Sequence, residues 1–339
     1  MFGEDKQMNC KMQQIFSIFA LQHGVRNGRR KLRNVSNSII NCDHLVKTYG
    51  KFTALSDLCV DIPQGEIFGL LGPNGAGKTT TIRIINKIIR QDSGKVYFNG
   101  NEMTEEDVRK IGYMPEERGL YRKMKVGEQC IFFARLKGMS KSDAVTELHK
   151  WFKKFGIQSW WNKKVEDLSK GMAQKVQFII TVVHDPKLLI LDEPFSGFDP
   201  VNTQLIRNEI LGLKEKGATI MLSTHNMESV EELCDGIALI NKSKLVITGK
   251  TNDIRREYGS NHVSVVYKSS EAAQTDLPES GLYKELSDEE YQGMRRKTLE
   301  ISKDVPNRDV IAAINPLLDI SAYEEQIPRM NDIFIKLVS

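Results

Sequence analysis

In the stretch Gly72-Pro73-Asn74-Gly75-Ala76-Gly77-Lys78-Thr79-Thr80 the first eight residues fit the pattern G-x-x-x-x-G-K-[ST]. The chemistry this spacing supports is the cradling of a polyphosphate. Glycines at 72, 75 and 77 let backbone N–H groups turn inward with no Cβ in the way, and a helix opening near Gly77 adds its own unpaired N–H groups and the positive end of its dipole. Lys78 can reach the β- and γ-phosphates, and the Thr79 hydroxyl can hold Mg²⁺. A second group stands at Asp192-Glu193-Pro194, directly after the apolar run Leu188–Leu191. Two carboxylates at the mouth of a buried strand are costly unless something there needs them. Asp192 can bind Mg²⁺ and Glu193 can activate an attacking water. His225 follows another apolar run, Ala218–Leu222, and repeats that strand-end placement, where open α/β sheets hold their ligands. Tyr49 closes the first strand-like segment, where it either lies flat on an adenine ring or packs as a half-buried strand-end side chain.

These groups need particular elements to position them. Glu66–Leu71 reads as a buried strand and Thr81–Ile89 as the helix after the phosphate loop. Ile39–Val46, Ala54–Ile62, Lys95–Phe98 and Ile111–Met114 read as further strands. Val126–Lys137, Lys141–Phe155 and Lys170–Val183 carry apolar residues at three- and four-residue spacing and read as helices, with Trp151, Trp160 and Trp161 among them as packing residues. Val201–Lys214 continues as a helix, and Ile237–Ile240 with Lys244–Thr248 as a hairpin. The fold class is α/β: a phosphate-loop NTPase sheet, its continuous apolar strands covered on both faces, with an inserted helical subdomain at about 120–185. From residue 258 the character changes. Val263–Tyr267 and Lys297–Ile301 read as edge-type strands, Asp309–Leu318 as a helix, and 269–281 and 285–296 as polar connections. We assign 1–38 to an N-terminal extension, 39–257 to the nucleotide-binding domain and 258–339 to a small α+β accessory domain with no chemical motif. On this reading every residue that meets phosphate or metal precedes 226, so the accessory domain is dispensable for nucleotide binding.

Composition narrows the class further. The net charge is +4 and the chain is 40% hydrophobic and 27% charged. Residues 1–40 hold seven Lys/Arg against two Asp/Glu, so the rest is close to neutral and carries no nucleic-acid footprint. No apolar run is long enough to cross a bilayer. The basic cluster Arg26, Arg29, Arg30, Lys31, Arg33 follows the short apolar stretch Ile15–Leu21, the reverse of a secretory signal. The five cysteines form no C-x-x-C pair, which fits a reducing compartment.

With these motifs in place, Leu168-Ser169-Lys170-Gly171-Met172-Ala173-Gln174 is similar to the signature of ABC transporter ATP-binding subunits, L-S-G-G-Q, with Lys170 replacing a glycine and Met172 the glutamine. Ser196-Gly197-Phe198-Asp199 resembles that family's D-loop, with Asp199 matching, and Tyr49 falls where the family stacks its adenine-binding aromatic. The tail Ile327–Phe334 resembles the extra C-terminal domain of subunits of the sodium-extruding type. The resemblance covers roughly 39–257. It implies ATP and Mg²⁺ as ligands, ATP hydrolysis with Glu193 and His225 as catalytic residues, and pairing with a second ATP-binding subunit, as a homodimer or otherwise. In such a pair Ser169, Lys170 and Gly171 cover the nucleotide held by the partner. It also implies an integral membrane permease as partner, an exporter role, and a place on the cytoplasmic face of a membrane. A soluble ABC ATPase serving an assembly machine is the alternative from another class, and a non-enzymatic ATP-binding regulator a third. At Glu116, after Tyr113-Met114-Pro115, the family normally carries a glutamine that contacts Mg²⁺. A carboxylate there is an oxygen ligand for the metal and repels the triphosphate.

Overall fold

The computed structural model of the chain describes residues 37–117, 119–259, 261–268 and 276–338. The reading of the N-terminal extension therefore lies, up to residue 36, outside the described residues.

The chain opens as a long hairpin, β1 (Ser38–Tyr49) and β2 (Phe52–Pro63), turning through Gly50 at φ 60°. The buried strand β3 (Ile67–Leu71) leads through the phosphate loop into α1 (Lys78–Ile85). Next come β4 (Ser93–Phe98), the two-residue β5 (Asn101–Glu102) and β6 (Ile111–Met114). The helical subdomain is α2 (Val126–Leu136), α3 (Lys141–Lys154) and α4 (Lys170–Val182). The chain then alternates β7 (Leu188–Asp192), α5 (Pro200–Glu215), β8 (Thr219–Ser223), α6 (Met227–Leu233) and β9 (Gly236–Asn241). The hairpin strand β10 (Lys244–Lys250) and α7 (Thr251–Glu257) close this part.

Two sheets result. One runs in the order β2-β1-β4-β5 and is antiparallel. The other runs β10-β9-β3-β8-β7-β6 and is parallel except for β10 at its edge. The apolar run of β7 shows why its strands lack polar alternation. Leu188 and Ile190 pack into a core shared with the antiparallel sheet and with Ile82, Ile84 and Ile85 of α1. Leu189 and Leu191 point the other way, into the core formed by the helices. Successive side chains of a strand face opposite layers, so a strand covered on both sides must be apolar throughout. Within the helical subdomain Ser140 caps α3 by accepting from Asp143 N at 3.1 Å. Trp161 stacks on His149 with ring centroids 4.6 Å apart and lies so close to Gly127 that an added Cβ would sit 2.5 Å from its ring.

The remaining elements are β11 (His262–Lys268), β12 (Tyr283–Tyr291), β13 (Met294–Ile301), α8 (Asn307–Ile314), β14 (Asp319–Glu325) and α9 (Met330–Val338). The sheet order is β12-β13-β11-β14. Two expectations are corrected here. β11 and β13 are the inner strands of the sheet, and the polar stretch 285–296 is largely the strand β12 with its turn. Glu285 and Asp288 within it are paired. The fully buried Lys297 Nζ lies 2.7 Å from Glu285 and 2.8 Å from Asp288, and Arg295 Nε 2.9 Å from Asp288. Buried ammonium groups persist when paired and hydrogen-bonded, and such a strand shows no apolar alternation. Val265, Tyr267, Leu299, Val310 and Ile314 form a separate small core. α9 does not join it: Met330 and Ile333 are buried in the main helical core instead.

Candidate functional site

The phosphate loop holds backbone that only glycine adopts comfortably. Gly72 has φ 150° and its absent Cβ would lie 2.2 Å from the Ile240 carbonyl oxygen; at Gly77, φ 118°, it would lie 2.6 Å from the Ala54 oxygen. Lys78 is nearly buried, its Nζ donating to the carbonyls of Gly72 at 2.6 Å and Pro73 at 3.2 Å. Burial lowers its pKa, opposed by the negative charges of Glu193, Asp192 and Glu116. These residues line one cleft of about 440 Å³ together with Tyr49, Pro73, Asn74, Gly75, Thr79, Thr80 and His225. Ala76 is the one loop residue whose side chain turns away, into the core.

Opposite chemistry meets the loop from the strand ends. Asp192, the last residue of β7, is 4% exposed. Burial pushes its carboxyl above the usual range, and the Glu116 and Glu193 charges push the same way, against Lys78. Glu193 has left the strand with φ 49°, in the left-handed region. A non-glycine residue there carries strain of about 1–3 kcal/mol, which persists only where the surroundings enforce it. The enforcement is visible. Glu193 N donates to Ser223 O at 2.8 Å, while its carboxylate accepts from Thr224 Oγ1 at 3.2 Å and His225 N at 3.0 Å. His225 Nδ1 lies 2.7 Å from the same carboxylate. The Glu193 side chain is 13% exposed, that of His225 74%. A carboxylate so fixed beside an open cleft is placed to take a proton from water.

The donor set fits a divalent cation. Asp192, Glu193, Glu116 and Thr79 offer oxygens to one cleft in which Lys78 is the only lysine or arginine among the described lining residues. Burial, with the Glu116 and Glu193 charges adding to it, raises the Asp192 pKa, and a bound cation would offset that negative charge.

Ser169, Lys170, Gly171 and Asp199 lie outside this cleft. Ser169 caps α4, its Oγ accepting from Met172 N at 3.3 Å, and the start of this helix is exposed, with the backbone N–H groups of its first turn free of intrahelical partners. Asp199 caps α5 in the same way, accepting from Asn202 N at 2.9 Å. Three lining residues escaped the sequence reading of the site: Phe52, Ala54 and Phe334. Phe52 sits across the Gly50 turn from Tyr49, so recognising that turn would have found it. Phe334 arrives from α9 with no local signal at all.

Comparison with known proteins agrees with this geometry. The ABC transporter family model matches residues 55–196, and the model for the C-terminal domain of DrrA1-3-like ATP-binding proteins matches 249–338. The ABC transporter ATP-binding protein YhaQ of Bacillus subtilis is 42% identical over 302 residues, 88% of this chain and 98% of its own. The lantibiotic transport ATP-binding protein SrtF of Streptococcus pyogenes is 36% identical over 62% of this chain and 90% of its own. A solved ATP-binding subunit of an ABC transporter superposes with a TM-score of 0.62 at 30% identity, over 65% of this chain and 93% of its own. The chain belongs to the ABC transporter ATP-binding family. It is an ATPase: its cassette binds ATP and hydrolyses it to ADP and phosphate.

Proposed function

We propose that the chain drives a separate membrane permease, in an exporter, by closing on ATP with a second ATP-binding subunit and opening after hydrolysis. The observation that carries this is the placement of Ser169. The start of α4 is exposed, capped and outside the cleft that holds Lys78, Glu193 and His225. A positive helix end of that kind attracts phosphate, and the phosphate it can reach is one held by another subunit. The lantibiotic transport function in the name of SrtF supports a role in transport. Among the described residues no helix is long and apolar enough to cross a membrane.

In the closed site Lys78 and the loop N–H groups would hold the phosphates, and Thr79, Asp192 and Glu116 would hold Mg²⁺, which would supply positive charge to offset that of the triphosphate. Glu193 takes a proton from the water that adds to the γ-phosphorus as its bond to the bridging oxygen breaks, and His225 anchors the Glu193 carboxylate. Light scattering on Glu193→Gln should give a dimer with MgATP and a monomer without it. A monomer under both conditions would sink the shared-site arrangement. A membrane protein encoded beside this chain should co-purify with it; recovery in a soluble complex instead would make it an assembly ATPase.

Glu116 provides a finer check. Unit charges 4 Å apart at an effective dielectric near 20 interact by about 4 kcal/mol, so a carboxylate here repels bare ATP and attracts Mg²⁺. Glu116→Gln should therefore bind ATP with a weaker dependence on Mg²⁺ than the unaltered chain. Nucleotide titrations with and without the metal decide it, and identical metal dependence would remove Glu116 from the site.

A further inference from the structure

We propose that the C-terminal helix α9 is part of the ATP site, with Phe334 contacting the adenine base. This rests on the cleft being the nucleotide site and adds a residue from the far end of the chain to it.

Contacts of α9 and of Pro328 before it fix this helix beside the elements around the cleft. Met330 N donates to Glu231 of α6. Arg255 of α7 lies 3.5 Å from the Glu231 carboxylate and donates from Nε to Pro328 O at 3.0 Å. Met330 and Ile333 are buried with Val230 and Leu233 of α6. At the other end of α9, Asn241 Nδ2 donates to Val338 O at 3.5 Å.

These partners surround the site. α6 begins two residues after His225. Asn241 follows Ile240, whose carbonyl lies against Gly72 of the phosphate loop. The turn after Asn241 is tied to the strand carrying Phe52: Ser243 Oγ donates to Thr53 O at 2.5 Å and Ser56 N to Ser243 O at 2.8 Å. α9 is thus held between the His225 end of the cleft and the side where the β1–β2 hairpin presents its aromatics.

Phe334 is half-buried. It packs on the main core and lines the cleft beside Tyr49 and Phe52, which are 48% and 56% exposed. Phosphates and a metal ion call for N–H groups and oxygens. The part of ATP that calls for aromatic rings is the base, which stacks on them whatever its hydrogen-bonding edge. Phe334 also falls on the inward face of α9 with Met330 and Ile333, so a purely structural role makes a different prediction that the experiment must separate.

Isothermal titration of the full chain with MgATP and with inorganic tripolyphosphate separates them. Phe334→Ala should weaken ATP binding roughly tenfold, within the range for one aromatic–base contact, and leave tripolyphosphate binding unchanged. Phe334→Tyr should restore ATP affinity. In steady state the alanine variant should show a raised KM and an unchanged kcat. Unaltered ATP affinity in Phe334→Ala, or equal loss of ATP and tripolyphosphate, overturns the proposal. Lys78→Ala should lose both ligands. Should the unaltered chain bind tripolyphosphate but gain nothing from the base, the adenine contact fails while the phosphate site stands. Binding of neither ligand would overturn the nucleotide reading itself.

Discussion

Glu193→Gln is expected to bind ATP as the unaltered chain does and to hydrolyse it about two to four orders of magnitude more slowly, the range for losing a general base. The substitution keeps the size of the side chain and its ability to accept from Thr224 Oγ1 and His225 N. What it removes is the charge and the proton affinity. The geometry argues that this charge is placed for chemistry. Glu193 occupies a left-handed backbone conformation, φ 49°, and three donors from the stretch after β8 converge on its carboxylate. Asp192, one residue earlier, is buried at the strand end and lines the same cleft. Phosphate release over time is the measurement. Turnover within a few-fold of the unaltered chain would take Glu193 out of the mechanism and leave its strained backbone without a catalytic reason.

Lys78→Ala is expected to weaken ATP binding by roughly a hundredfold or more, since hydrogen bonds to charged groups contribute about 1.5–3 kcal/mol each and an ammonium has three donors to offer phosphate oxygens. Two effects add. The ammonium is the sole Lys or Arg among the described lining residues, so without it a polyanion must enter beside Glu116, Asp192 and Glu193. Its Nζ also ties down the Gly72 and Pro73 carbonyls, at 2.6 and 3.2 Å, and so shapes the loop before any ligand arrives. Titration calorimetry with MgATP reads the loss, and a thermal melt shows whether the fold survives. Affinity within about threefold of the unaltered chain, less than half of one such hydrogen bond, would show that the loop N–H groups alone hold the phosphates.

Most of the chemistry was legible in the sequence because it is local. A phosphate loop is a contiguous backbone shape, so Gly72, Gly77 and Lys78 announce it by type and spacing. Asp192 and His225 are legible because a buried parallel strand must be apolar through its length, which makes the polar residue at its end conspicuous. Caps are local too, and Ser169 and Asp199 each bond the N–H three residues on.

What tertiary structure decided is whatever depends on pairing between distant segments. The strand β12 was hidden because its carboxylates are neutralised by Lys297 and Arg295 from the next strand, and the inner positions of β11 and β13 depend on which neighbours they find. That Ser169 lies outside the cleft holding Lys78 is likewise a matter of packing between distant segments. The sequence also led us to treat the C-terminal part as remote from the nucleotide. Phe334 reaches the cleft only because Met330 and Ile333 bury against α6 and not in the small core of their own domain. Hydrophobic burial is non-directional: an apolar face specifies that it will be covered, and the packed chain specifies by what.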